Sequence, residues 1–312
     1  RVTSEGWEYE ADQQHAELII KGLGLQTANG VKTPGQDQRQ WEEEDNMRPL
    51  LAGEASNYRA LAARANYLAL DRPDIQFAAK EVCRGMARPT SGDMQLLRRL
   101  GRYLISSPRV VWHFQWQVSP TEVCAYSDSD WAGCKRTARS TSGGVIMRGS
   151  HCLRTHSVTQ KNVTLSSAEA ELMALVRASC EAIGMAQLSQ GWGFPVMIGV
   201  YVDSSAALAV TARRGTGKLR HVRIGDLWVQ EAAANGDVSY RRVPGSTNPA
   251  DLLTKHLLAP IRARHMERLG LRWATGHGSG QFRVHSALIC RAAPSSSSRP
   301  RCPAATPGRG GV

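Results

Sequence analysis

Among the 312 residues, the seven cysteines are an odd number and no two are spaced Cys-x-x-Cys. A disulfide framework and a structural zinc site therefore lose support, and a reducing compartment is expected. Long apolar runs are also missing. No stretch approaches the ~20 residues that a membrane-crossing helix needs, so no membrane partner is expected. The start, Arg1-Val-Thr-Ser-Glu-Gly-Trp-Glu-Tyr-Glu10, has neither a basic nor an apolar signal region, so secretion has no support. The final stretch, 276–312, has no acidic residue at all, only five arginines among Ser, Pro and Gly. Such a composition cannot build a core and predicts a disordered tail.

What is present is positive charge, +12 overall. Residues 1–48 hold ten acidic and five basic side chains, so the segment 49–275 carries 29 basic against 17 acidic residues. A body this basic predicts a polyanionic partner, nucleic acid first. With 42% hydrophobic residues the chain is ordinary for a globular protein, and a wholly disordered chain is excluded.

Residues 1–50 read as loosely structured, with one helix at about Asp12–Lys21. Three short helices should follow. The first covers about 54–67, the second starts at Pro73, and the third is capped by Ser91 or Asp93 and runs to Pro108. The period then changes to two, with Val110, Trp112, Phe114, Trp116 and Val118 on one face of a strand. Further strands are expected at Val123–Asp128, Gly144–Met147, His151–Val158, Val196–Val202 and Val238–Val243. Helices are expected at Glu169–Leu188, Ser204–Ala212, Val222–Ala234 and Asn248–His256. This order predicts an α/β or α+β fold with a mixed sheet.

Four carboxylates stand out by placement. Asp128 lies at a strand end, Glu171 in the first turns of the long helix, Asp203 at another strand end, and Asp251 at a helix start. Acids so placed often converge, and a cluster of four would repel itself unless divalent cations sat among them. Oxygen ligands suit Mg²⁺, with Mn²⁺ possible. Two such ions can activate a water and stabilise the leaving oxygen in phosphodiester cleavage. Each acid alone is also a common cap or solvated charge. Glu169 illustrates this, since Ser166-Ser-Ala-Glu169 has capping-box spacing and leaves Glu171 free for another role. Asp130 should point to the same side as Asp128 and is assigned a supporting or turn role.

Six ordered motifs now carry a resemblance: Tyr126-Ser-Asp-Ser-Asp-Trp-Ala-Gly133, Arg139-Ser-Thr-Ser-Gly143, Leu165-Ser-Ser-Ala-Glu-Ala-Glu-Leu-Met-Ala174, Val202-Asp-Ser-Ser205, Leu219-Arg-His-Val222 and Asn248-Pro-Ala-Asp-Leu-Leu-Thr-Lys255. Together they resemble the ribonuclease H domain of copia-type LTR-retrotransposon Pol polyproteins. Upstream, Tyr58-Arg-Ala-Leu61, Arg72-Pro-Asp-Ile-Gln-Phe-Ala78 and Arg99-Leu-Gly-Arg-Tyr-Leu104 are similar to the segment joining reverse transcriptase to that domain. Gly6-Trp-Glu-Tyr-Glu-Ala-Asp-Gln-Gln-His15 and Val31-Lys-Thr-Pro34 resemble the end of the reverse transcriptase.

The resemblance implies a ribonuclease H-like mixed five-stranded sheet flanked by helices. It implies a two-metal endonuclease that cuts the RNA strand of RNA–DNA hybrids, with Asp128, Glu171, Asp203 and Asp251 holding the ions. Asp128 would bridge both ions, Asp251 would help hold the one that activates the water, and Glu171 and Asp203 the other. Lys161, Arg220, His221 and Arg223 become candidates for nucleic-acid contact. The expected organisation is a reverse-transcriptase remnant at 1–50, a helical connection at 51–118, the ribonuclease H-like domain at 119–258, a C-terminal helix at 259–275 and the tail. Partners would be the hybrid and the polymerase part of the same polyprotein, within a cytoplasmic retroelement particle or the nucleus.

Two departures matter. The loop Pro244-Gly-Ser-Thr-Asn-Pro249 lacks the histidine that many cellular ribonucleases H carry there. No Tyr-x-Asp-Asp polymerase signature is present, Tyr201-Val-Asp-Ser204 being the nearest, so DNA synthesis by this chain alone is not expected. The alternative function is a catalytically inactive remnant that only binds nucleic acid. An aspartic protease built on Asp128-Ser and Asp203-Ser fails, because Asp130 and Ser205 stand where glycine would be needed.

Overall fold

The computed structural model describes residues 1–36, 44–217 and 222–274. The expected tail at 276–312, Arg220 and His221 lie outside the described residues. No described helix is long and apolar enough to cross a membrane.

The first part of the chain contains a strand that the sequence reading passes over. β1 (Gly6–Glu10) precedes α1 (Gln13–Gly22), whose N-cap Asp12 accepts a hydrogen bond from the Gln14 amide. Three helices follow as expected: α2 (Ala52–Leu68), α3 (Pro73–Cys83) and α4 (Ser91–Ser106). Proline at the first position starts α3, where its missing N–H costs nothing. The cap of α4 is Thr90 rather than Ser91 or Asp93. Thr90 accepts from the Asp93 amide, and the Asp93 carboxylate accepts from the Thr90 amide. These helices and α1 enclose one apolar cluster around Ile19, Tyr58, Leu61, Ile75, Leu97, Leu100 and Leu104.

β2 (Val110–Gln115) is shorter than the alternation suggests. It is the middle strand of a three-stranded antiparallel sheet between β1 and β8 (Leu271–Trp273). The expected C-terminal helix is therefore shorter too. α8 (Ala259–Arg268) is followed by Gly270, at φ +78°, which turns the chain into β8.

The larger sheet contains β3 (Glu122–Asp130), β4 (Thr141–Arg148), β5 (His151–Thr159), β6 (Met197–Val202) and β7 (Ser239–Arg242) in the order β5-β4-β3-β6-β7. β3 pairs antiparallel with β4 and parallel with β6, and β6 pairs parallel with β7. The mixed five-stranded, helix-flanked sheet is the ribonuclease H-like arrangement that the resemblance implies. α5 (Ser167–Gly191) covers one face through Leu172, Leu175, Ala178 and Ala182, against Val123, Ala125, Ile146, Val200 and Val202. The other face meets α8 (Ala259–Arg268) and the small sheet through Val145, Met147, Trp112, Leu253, Met266 and Leu271.

Two expected helices come out differently. Val222–Ala234 is a 3-10 turn at Ile224–Leu227 followed by α7 (Trp228–Asn235), while α6 is Ser205–Thr211. Asn248–His256 is only a 3-10 turn, Pro249–Leu253. Asn248 caps it, accepting from the Ala250 amide while its own side-chain amide donates to the Ser127 carbonyl at 2.8 Å. A turn tied on both sides to β3 is kept short by that anchoring.

Candidate active site

Parallel pairing sets the site's first two residues. Ser127 on β3 lies opposite Val202 on β6, so the residues that follow, Asp128 and Asp203, arrive at the same edge of the sheet. Glu171 comes from the start of α5. Ser166 caps that helix, accepting from the Glu169 amide, and the Glu169 carboxylate accepts from the Leu165 amide at 2.7 Å. Glu169 thus closes the helix end as its spacing predicts. Glu171 instead reaches across to β3, where its Oε1 accepts from the Ser129 amide at 3.3 Å.

Carboxylate oxygens of Asp128, Glu171 and Asp203 lie within 4.8 Å of one another. Asp251 is not part of this set. It sits on the Pro249–Leu253 turn, and Lys255 Nζ lies 2.8 Å from its Oδ1 and 3.6 Å from Asp128 Oδ2. Within 4.8 Å the expected four acids are three, while Asp251 stands close enough to act on the charge of Asp128 and Asp203 and is joined to the triad through a lysine. Asp130, at the end of β3, is outside the triad and lies near Lys80 of α3.

Burial and mutual repulsion disfavour charge on these groups. Burial pushes the Asp128 carboxyl up to about 7; Lys255 opposes this, Asp251 and Asp203 reinforce it, and a hydrogen bond from the Thr254 hydroxyl opposes it again. Glu171 is pushed up to about 8 by burial, then by Asp128 and Asp203. Asp203 is also raised, by burial and by Asp251. Lys255 is held firmly charged, because Asp128, Asp251 and Asp203 outweigh its desolvation.

The donor set fits a hard divalent cation. It is all oxygen, crowded and underneutralised, and Glu171 Oε2 is buried with no hydrogen-bond partner among the described residues.

Thr254, Lys255 and Asn248 are site residues that the reading of the four acids leaves out. All three lie within the Asn248–Lys255 motif, which was the available signal. Gly143, in another of the motifs, pairs opposite Asp128. A Cβ there would stand 2.7 Å from Thr254 Cγ2 and 2.9 Å from the Ala250 carbonyl oxygen. Only a glycine lets this turn approach β3 so closely.

Of the expected nucleic-acid contacts, Lys161 is exposed in the turn between β5 and α5, and Arg223 is exposed just before the Ile224–Leu227 turn. Neither touches the acid triad through any hydrogen bond or ion pair.

No family model matches the chain. The retrovirus-related Pol polyprotein from transposon RE1 of Arabidopsis thaliana is 31% identical over 224 residues, which cover 69% of this chain and 15% of that protein. This chain belongs to the retrovirus-related Pol polyproteins of transposons. The chain is also 32% identical over 170 residues to an uncharacterized mitochondrial protein of the same plant, covering 54% of this chain and 68% of that one. Among solved structures, the N-terminal RNase H domain of Rv2228c from Mycobacterium tuberculosis, fused to maltose binding protein, is 19% identical. It matches 47% of the Pol chain and 97% of that chain, at a TM-score of 0.30.

Proposed function

We propose that this Pol chain carries a metal-dependent endonuclease that cuts the RNA strand of RNA–DNA hybrids. The observation that supports it most is the triad of Asp128, Glu171 and Asp203, brought from two strands and a helix to within 4.8 Å. One buried and two half-buried carboxylates with raised proton affinity and few donors are an unstable arrangement without a cation. Mg²⁺ or Mn²⁺ ions held there would supply an activated water and charge stabilisation for the leaving oxygen. Asp128, the most buried of the three, would present its carboxylate centrally, with Thr254 fixing one oxygen by hydrogen bond. Ser129 holds Glu171 in place through its backbone amide. Asp251 would take part once Lys255 moves off it. Lys161 and Arg223, both exposed, would meet the hybrid's phosphates. The helices at 52–106 would serve as the connection to a polymerase part of the same polyprotein.

A second reading, hybrid binding without cutting, has one observation in its favour. Lys255 pairs with both Asp251 and Asp128 and could keep the fourth acid permanently neutralised. Incubation with a labelled hybrid and Mg²⁺ separates the two. Cutting that disappears in EDTA and in Asp203→Asn supports the nuclease. Binding with no cutting by the wild type supports the alternative.

A further inference from the structure

Next to the triad is a surface of which only Lys161 has been given a role above. β3 continues past Asp128 into the turn 131–140, and β5 continues into the turn 160–166, both at the triad's edge of the sheet. The two turns are joined to each other. The Trp131 indole donates to the Thr164 carbonyl at 3.1 Å, the Ser140 and Thr164 hydroxyls are 2.9 Å apart, and the Gln160 amide donates to the Ser140 carbonyl at 2.8 Å. The first turn is also fixed to the helices behind it, by Arg84 to the Thr137 hydroxyl at 3.1 Å and Arg136 to Asp93 at 3.6 Å. This is a braced lip rather than two independent loops.

What the lip shows to solvent is unusual for a braced surface. Trp131 is 49% exposed, Val163 51% and Leu165 69%, and around them stand the exposed side chains of Lys135, Arg139 and Lys161. Large apolar groups interleaved with cations match a sugar–phosphate backbone, which offers apolar sugar faces between regularly spaced charges. Trp131 lies three residues beyond Asp128, at the start of the turn that follows β3. With its N–H already engaged on Thr164, the ring can contribute only its apolar faces and edge.

We propose that this lip, with Trp131 at its centre and Arg139 and Lys161 beside it, grips the backbone of a nucleic-acid duplex on one flank of the cut. The assignment rests on the nuclease reading above and adds Trp131 and Arg139 to Lys161 as residues that would hold the substrate beside the metal site. It treats Trp131 as a binding residue that does not touch the reacting atoms.

The test is fluorescence anisotropy of a labelled RNA–DNA hybrid with the full chain in EDTA, where no cutting occurs. Trp131→Ala should weaken binding by about tenfold, the scale of one lost aromatic contact, and Trp131→Phe should restore most of it. Arg139→Ala with Lys161→Ala should lower the slope of log affinity against log salt by about two, one per lost phosphate contact. Both substituted positions in that double variant are exposed, so folding is not at issue. If the wild type binds the hybrid and these variants bind it equally well, with unchanged salt slope, the lip assignment is overturned while the nuclease reading stands. If the wild type binds no hybrid at all, both fall together.

Discussion

Asp74 and Asp128 are buried to nearly the same depth, 4% and 3% exposed, yet their carboxyls are held in opposite states. Burial would raise Asp74, but the Arg72 charge and hydrogen bonds outweigh it and hold it below the ordinary carboxylate range. Arg72 Nε and Nη2 donate to the two oxygens at 2.8 and 2.7 Å, and the Tyr103 hydroxyl adds a bond of 2.7 Å. The guanidinium then donates onward to the Ser107 and Pro108 carbonyls. Asp128 has one hydroxyl and a lysine at 3.6 Å, with two other acids beside it. The first arrangement is a closed, self-satisfied network in the helical part. The second is left open for a charge from outside. Depth of burial alone does not separate a structural acid from a candidate catalytic one; the surrounding donors do.

The largest expected effect tests the closed network. Asp74→Ala leaves the Arg72 guanidinium buried without its partner and should destabilise the protein by about 3–5 kcal/mol in a urea titration. If the loss is below about 1 kcal/mol, the contrast is wrong. Asp128→Asn should behave oppositely. Cutting of a hybrid should fall by at least about 100-fold, while the metal-free protein's melting temperature at pH 8 stays the same or rises, because a repelling charge is removed.

Solution pH should separate the two regions as well. Asp128 and Glu171, raised to about 7 and 8, keep protons in the folded state that the unfolded chain has already released. Their part of the stability is therefore fully present only below the ordinary carboxyl values of 3.8 and 4.5, and is lost progressively as pH rises through about 7 and 8. Asp74, lowered, contributes above its unfolded pKa and loses that contribution only as pH falls through its folded value. Thermal melts at pH 5.5 and 8 should show the first effect. Added Mg²⁺ should raise the melting temperature more at pH 8, where the acids are ready to bind it. An equal Mg²⁺ effect at both pH values would contradict the metal assignment. The smallest change is Thr254→Val, which removes the hydroxyl that favours ionised Asp128. It should cost about 1–2 kcal/mol and move the acid side of a pH–rate profile to higher pH.

Much of this was legible in the chain itself, because the signals are local. The cap residue Ser166 marks the start of α5, Pro73 marks α3, and Asp128 and Asp203 lie near strand ends within ordered motifs. What was not legible depends on distant partners. β1 is a five-residue stretch whose strand character comes from pairing with β2, far along the chain. The Asn248–His256 segment has helical composition, yet Asn248 and Thr254 are spent on hydrogen bonds to β3, and the turn stops at Leu253. The Asp251–Lys255 pair itself has the familiar four-residue spacing of an acid followed by a lysine; what the sequence does not show is that Lys255 also reaches Asp128.

The small sheet has a consequence for how the molecule comes apart. Its middle strand, β2, is zipped on one side to residues 6–10 and on the other to residues 271–273, so each pairing closes a loop on the order of a hundred residues or more. Such contacts form late in folding. They also make the two outer strands report on one another: when β2 loosens, both lose their partner at once. Hydrogen exchange should show the amides of β1 and β8 opening as one cooperative unit, although almost the whole described chain lies between them.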